Sequence, residues 1–263
     1  MTSLAARRYK GLACGPALFL FTLVMLPMSL LAGCRSQPPL HQFEGTALGT
    51  GYHITLHADL DDRARERLQA GIQGELVSLE QDLARLRVPL RHARGPLPAG
   101  VGSDSTSLAQ RLLQMARALA VDRLVALLLD HAVEHAMIEL GGMVRVRGPA
   151  GRRAWRLALD RAGMPREEGP RLRLADAALV RLDDMPMPLA GGERAAPLAA
   201  SRLLAVSVVA PTTIEAERQA RELMAAGPEA LEPFLDRAVR IVVLTSQGIE
   251  IHHGSALETY LEE

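Results

Sequence analysis

The 263-residue chain has only two cysteines, Cys14 and Cys34. Cys14 lies in an apolar leader, so the chain beyond that leader carries one thiol and cannot build a disulfide framework. Aromatic residues make up 3% of a chain that is 48% apolar, and neither charge sign is in excess, with 30 basic and 30 acidic residues. Loss of the leader removes Arg7, Arg8 and Lys10 and no acid, leaving a slightly acidic chain that bulk charge makes a poor nucleic-acid binder. Repeats and low-complexity tracts are missing. Residues 108–130 contain no glycine, and no histidine falls between His135 and His252. The length suits one substantial domain, or two small ones, behind an export signal.

That signal is present. Arg7, Arg8 and Lys10 precede an apolar run from Leu12 to Leu31, closed by Leu31-Ala32-Gly33-Cys34. This is the form of a bacterial lipoprotein signal: small Ala32 and Gly33 enter a peptidase cleft and Cys34 becomes the lipidated N-terminus. A membrane anchor is the competing reading, since the run could span, but Pro16 and Pro27 interrupt it. The expected organisation is a signal peptide at 1–33, a lipidated tether at 34–42 and one domain at 43–263. The domain would be held through Cys34 on the periplasmic side of a bacterial membrane.

The domain is organised around Ala120–Gly148. Leu124, Leu127 and Leu128 recur at helical spacing; Met137, Ile138 and Leu140 then precede Gly141-Gly142, and Val144 and Val146 alternate with Arg145 and Arg147. The change of period across a glycine pair predicts helix, strand, tight turn, strand. Upstream, Tyr52, Ile54 and Leu56 alternate as a half-buried strand after Gly45–Thr50, a glycine turn. Leu68, Ile72, Leu76, Leu79, Leu83 and Leu86 mark an amphipathic helix over 61–87, its charges on a solvated face. Residues 88–107 read as a loop, and 108–130 as a second helix with Leu108, Leu112, Met115 and Leu119 on one stripe. Trp155–Asp160 and Leu172–Val180 read as strands, 183–201 as irregular. Leu203–Pro211 is a buried strand, followed by a helix from Ile214 to Ala226 capped by Thr212 or Thr213. A short helix over 228–237, a hairpin of 238–245 with 249–252, and a polar tail complete an α+β chain: a mixed, largely antiparallel sheet with packed helices.

Three of these stretches resemble the ApbE-like flavin transferases (FAD:protein FMN transferases). They are Gly45-Thr46-Ala47-Leu48-Gly49-Thr50 with Tyr52 and Ile54; Ala120-Val121-Asp122-Arg123 followed by Glu139-Leu140-Gly141-Gly142, Arg145, Arg147 and Gly148; and the strand ending Ala210-Pro211 with Ala216, Leu223, Gly227 and Pro228. The resemblance implies FAD as substrate, transfer of FMN to a threonine of an acceptor protein, and Mg²⁺ as cofactor. It places Leu48, Gly49, Thr50, Arg117, Asp122, Glu139, Gly141 and Gly142 against the flavin nucleotide, and gives Mg²⁺ to Glu217 and a backbone oxygen at Ala116. No catalytic residue is assigned.

The chain also departs from the family pattern. Where the family has a glycine-rich turn bearing a lysine, residues 111–121 have no glycine and Arg117 takes the lysine position. Read on their own, these residues make a continuous helix with Arg117 on a solvated face. Glu217 and Arg221 replace an aspartate and a threonine that ligate the metal, and spaced i,i+4 they read as an ion pair. The family's histidine–aspartate motif is missing, Asp183 and Asp184 being the nearest acids, and so is its longer segment at 88–107. A second function therefore stands beside the first: a lipid-anchored protein that holds a flavin nucleotide, or a protein partner, without transfer.

Overall fold

A computed structural model describes residues 38–92, 104–151, 153–159, 170–183 and 202–262, without the side chains of 87–92 and 104–107. The leader, Cys34, the middle of the 88–107 stretch and Asp184 lie outside the described residues. Residues 38–263 form one compact unit. Among the described residues no helix is long and apolar enough to cross a membrane.

An eight-stranded sheet runs in the order β1 (Leu40–Ala47), β2 (Thr50–His57), β3 (Ala136–Leu140), β4 (Met143–Arg147), β7 (Ala178–Asp183), β8 (Arg202–Ala210), β9 (Val239–Thr245) and β10 (Gly248–His253). Every pairing among the described residues is antiparallel. A separate ribbon pairs β5 (Trp155–Ala158) with β6 (Arg171–Leu174). The fold is α+β around a large antiparallel sheet.

Strand alternation gives the sheet two working faces. On one, Tyr52, Ile54, Leu56, Ile138, Leu140, Met143, Val180 and Val208 meet three helices: α1 (Asp62–His92), α2 (Asp104–Asp130) and α3 (Thr213–Ala226). On the other, Val146, Leu179 and Val209 pack with Trp155, Leu172, Leu174 and Leu257 of the ribbon and the tail. Covered on both sides, β8 is apolar after Arg202 except for the buried Ser207; from Ala205 to Ala210 every residue is buried.

The helices begin as their residues dictate. Asp61 caps α1, its carboxylate accepting from Ala64 N at 2.6 Å. Of the two candidate caps for α3, Thr212 is the one used, accepting from Glu215 N at 3.2 Å. Helix α2 is continuous through 111–121, as a segment of good helix formers without glycine should be.

Several expectations need correction. The first strand starts at Leu40, inside the stretch read as a tether. Helix α1 extends to His92 past Pro89, and α2 opens at Asp104, so only 93–103 separates them. The buried stripe of α2 is Ala118, Val121, Leu124, Val125 and Leu128, while Leu108 and Met115 are exposed; Leu86 is exposed too. Residues 172–180 are two strands in different sheets, broken at Ala175–Ala177, where Asp176 has φ +51°. The 228–237 helix is two 3₁₀ turns, Pro228–Ala230 and Glu232–Phe234, because Pro233 withholds a donor from any longer helix. The tail is not simply polar: Leu257 is buried in the second core and Leu261 bridges to Leu172.

Candidate functional site at two hairpin tips

Two tight turns stand side by side at one end of the sheet. The β1–β2 turn is Leu48-Gly49, between the paired Ala47 and Thr50, and the β3–β4 turn is Gly141-Gly142, between Leu140 and Met143. All four residues have positive φ, which is the two-residue hairpin geometry whose twist suits antiparallel strands. At Gly141 glycine is required twice over: φ is +58°, and an added Cβ would lie 2.9 Å from Thr50 Cγ2 and 3.3 Å from Arg117 Cδ. Gly142 has no neighbour within 4 Å of such a Cβ.

Leu48 is the unexpected residue. A leucine at φ +51° costs on the order of 1–3 kcal/mol and persists only where its surroundings hold it. Here both of its backbone groups are gripped from other elements. Leu48 N donates to Glu80 Oε1 at 2.5 Å, and Leu48 O accepts from Arg117 Nε and Nη2 at 3.1 and 2.9 Å. Its side chain is buried. A mainly apolar cavity of about 260 Å³ opens beside the turn, lined by Leu48, Gly49, Glu80, Leu83, Ala84 and Leu113.

Arg117 is thus the hub rather than a residue on a solvated face. Half-buried on α2, it crosses to the first turn and lies against the second. Burial pulls its guanidinium below the ordinary arginine value, yet an arginine stays charged at neutral pH. With Nε and Nη2 committed to Leu48, Nη1 has no acceptor among the described residues. A fixed cation with a donor to spare, beside an apolar cavity and two tight turns, suits an anionic group attached to a flat apolar one.

The other expected residues go elsewhere. Asp122 Oδ1 accepts from Thr213 N at 3.0 Å and from Arg145, and Oδ2 from Ile214 N at 3.0 Å. Its carboxylate therefore caps α3 from another helix and ties α2, α3 and β4 together. Glu139 is exposed on the face away from the helices, opposite His53 in the ladder. Ala116 lies inside α2, where its carbonyl belongs to the helix.

Glu217 is buried on α3 and ion-pairs with Arg221, one turn on. Arg221 Nη2 lies 3.5 Å from Arg111 O, and the contacts 122–213 and 111–221 make α2 and α3 antiparallel neighbours. Burial, with Arg111 beside it, lowers Arg221 below its usual value. This donor set does not fit Mg²⁺, which asks for near-octahedral oxygen ligands. The one carboxylate is already matched by a guanidinium, and no three acidic, histidine or cysteine side chains cluster for a metal among the described residues. Reading the residues by themselves anticipated the Glu217–Arg221 pair; the resemblance did not. Glu80 escaped notice because its partner is 32 residues away, although its place beside Leu79 and Leu83 puts it at the edge of the buried stripe.

Residues 111–184 match the model of the ApbE family. No curated protein sequence matches significantly. Among solved structures, the chain is similar to the flavinyl transferase ApbE of Pseudomonas stutzeri in its apo form, with TM-score 0.64, 18% identity, and 86% of this chain and 98% of that one covered. It is similar to the flavin transferase ApbE of Vibrio cholerae, with TM-score 0.59, 18% identity, and 85% and 100% covered. The ApbE protein of Thermotoga maritima gives 0.58, 14%, and 86% and 100%. Residues 111–184 are thus similar in sequence to the ApbE family, and the fold around them is similar to that of the solved flavin transferases.

Proposed function

We propose that the two hairpin tips and Arg117 hold a flavin nucleotide, and that the chain transfers the FMN part of FAD to a threonine hydroxyl of an acceptor protein. The reaction would take place on the periplasmic side of the membrane to which Cys34 anchors it. The observation that supports this most is the grip on Leu48: a strained turn clamped by Glu80 and Arg117 beside the apolar cavity. Strain of this kind collects at binding sites.

In the transfer, the threonine oxygen attacks the FMN phosphorus as its hydroxyl proton passes to solvent, the P–O bond to the bridging diphosphate oxygen breaks, and AMP leaves with the bonding pair. Charge builds on the phosphate oxygens, and a preorganised donor is what stabilises it. Arg117 Nη1 is that donor here, and Gly141, where a side chain would meet Thr50 and Arg117, lets Arg117 lie against the second turn. The apolar cavity takes the flavin ring and excludes water from it. Magnesium has no step in this scheme, because Glu217 and Ala116 do not form its site.

One observation favours a second reading, nucleotide binding without transfer. The Glu217–Arg221 pair stands where the resemblance expects metal ligands. Incubating the chain from Ser36 onward with FAD and a threonine-bearing acceptor peptide, with and without Mg²⁺, separates the two. Covalent flavin fluorescence on a denaturing gel supports transfer. Saturable FAD binding without it supports the second reading. Failure to bind FAD and to transfer flavin overturns the flavin assignment itself.

A further inference from the structure

The ribbon on the far face of the sheet carries a second cleft, of about 600 Å³, lined by Arg153, Arg156, Arg173, Thr259 and Glu262 with Ala154 and Ala175. Its construction is unusual. In the β5–β6 register Arg156 lies directly opposite Arg173, and both are exposed while the alternate residues Trp155, Leu172 and Leu174 are buried in the second core. Like charges paired across strands destabilise a ribbon. A short two-stranded ribbon has little stability of its own to spare. Arg171, two residues from Arg173 and on the same exposed face, adds to the field.

Among the described residues, carboxylates do not balance it. Glu262 of the tail pairs with Arg156. Asp176, between β6 and β7, is taken by Arg147 at 2.9 Å. Arg153 and Arg173 have no ion-pair partner among the described residues. The tail is placed to hold the cleft open, since Glu262 N donates to Arg171 O at 2.8 Å and Leu257 anchors the preceding turn in the core.

We propose that this cleft binds a phosphate group. Planar guanidinium groups on neighbouring strands can share the oxygens of one phosphate through charge-assisted hydrogen bonds. A bound dianion would also remove the Arg156–Arg173 repulsion that the free ribbon carries. The chemistry is common to free phosphate and to an anionic lipid headgroup, and the test separates them.

Inorganic phosphate is titrated into the chain from Ser36 onward by calorimetry. Vesicles of phosphatidylcholine, with or without phosphatidylglycerol, are tested by co-sedimentation. The expected result is saturable phosphate binding that weakens at least about tenfold in Arg173→Gln, is largely kept in Arg173→Lys, and is unchanged in Arg218→Gln, an exposed residue of α3 outside both sites. Binding of phosphatidylglycerol vesicles lost in Arg173→Gln assigns the site to a headgroup; phosphate binding without vesicle binding assigns it to a free phosphate. The absence of both, or equal loss in Arg173→Gln and Arg218→Gln, overturns the proposal. Arg173 is exposed, and the Lys variant guards against a loss caused by misfolding.

Discussion

Arg117 and Asp122 lie five residues apart on one helix, and both belong to the stretch that carries the family resemblance. Their surroundings make them different kinds of residue. Asp122 is spent: its carboxylate holds two backbone N–H groups of α3 and the guanidinium of Arg145, and little of it is exposed. Arg117 is half spent, gripping Leu48 with one edge of its guanidinium while Nη1 faces the glycine turn. Motif membership does not distinguish scaffold from site; the accounting of hydrogen-bond partners does.

The largest effect expected from breaking this contrast is at Asp122. Asp122→Ala should cost about 2–4 kcal/mol in chemical denaturation, because it strands a half-buried Arg145 and frees two backbone N–H groups of α3 at once. Next comes Arg117→Ala. Loss of two charged hydrogen bonds to a strained carbonyl should cost about 1.5–3 kcal/mol, and FAD affinity should fall about tenfold in protein that is still folded. The glycine pair sharpens the contrast further. Gly141→Ala meets both left-handed backbone and the Thr50 methyl, so it should destabilise by about 1–3 kcal/mol and displace Arg117, weakening FAD binding. Gly142→Ala meets only the backbone penalty, about 1 kcal/mol, and should leave FAD affinity near that of the parent. The smallest expected effect is that of a chelator. With Glu217 matched by Arg221, removing Mg²⁺ should leave the FAD titration unchanged.

Much of the fold was legible because it depends on short-range period and turn chemistry. The switch from helical spacing to alternation across Gly141-Gly142, the largely apolar run of β8 and the glycine-free α2 all arise from neighbours in sequence. The missed features depend on distant partners. Leu48 as a strained, doubly gripped turn residue needs Glu80 and Arg117, which lie 32 and 69 residues away. Asp122 as the cap of α3 needs Thr213, 91 residues on. The tail looked polar because Leu257 and Leu261 are isolated apolar residues whose partners come from the ribbon.

The resemblance and the bare residues also disagreed usefully. For Glu217 and Arg221, i,i+4 spacing anticipated the ion pair where kinship expected metal ligands. For Arg117 the error ran the other way: helix periodicity put it in solvent, while its place in the motif marked it as part of a site.

The most direct test of a flavin site at the hairpin tips is a titration of FAD, read by flavin fluorescence, against the parent chain and its Arg117→Ala, Gly141→Ala and Gly142→Ala variants. Such a site predicts saturable binding to the parent, weaker binding in the first two variants and near-parental binding in the third. No binding to the parent, or equal binding in all four proteins, would contradict it.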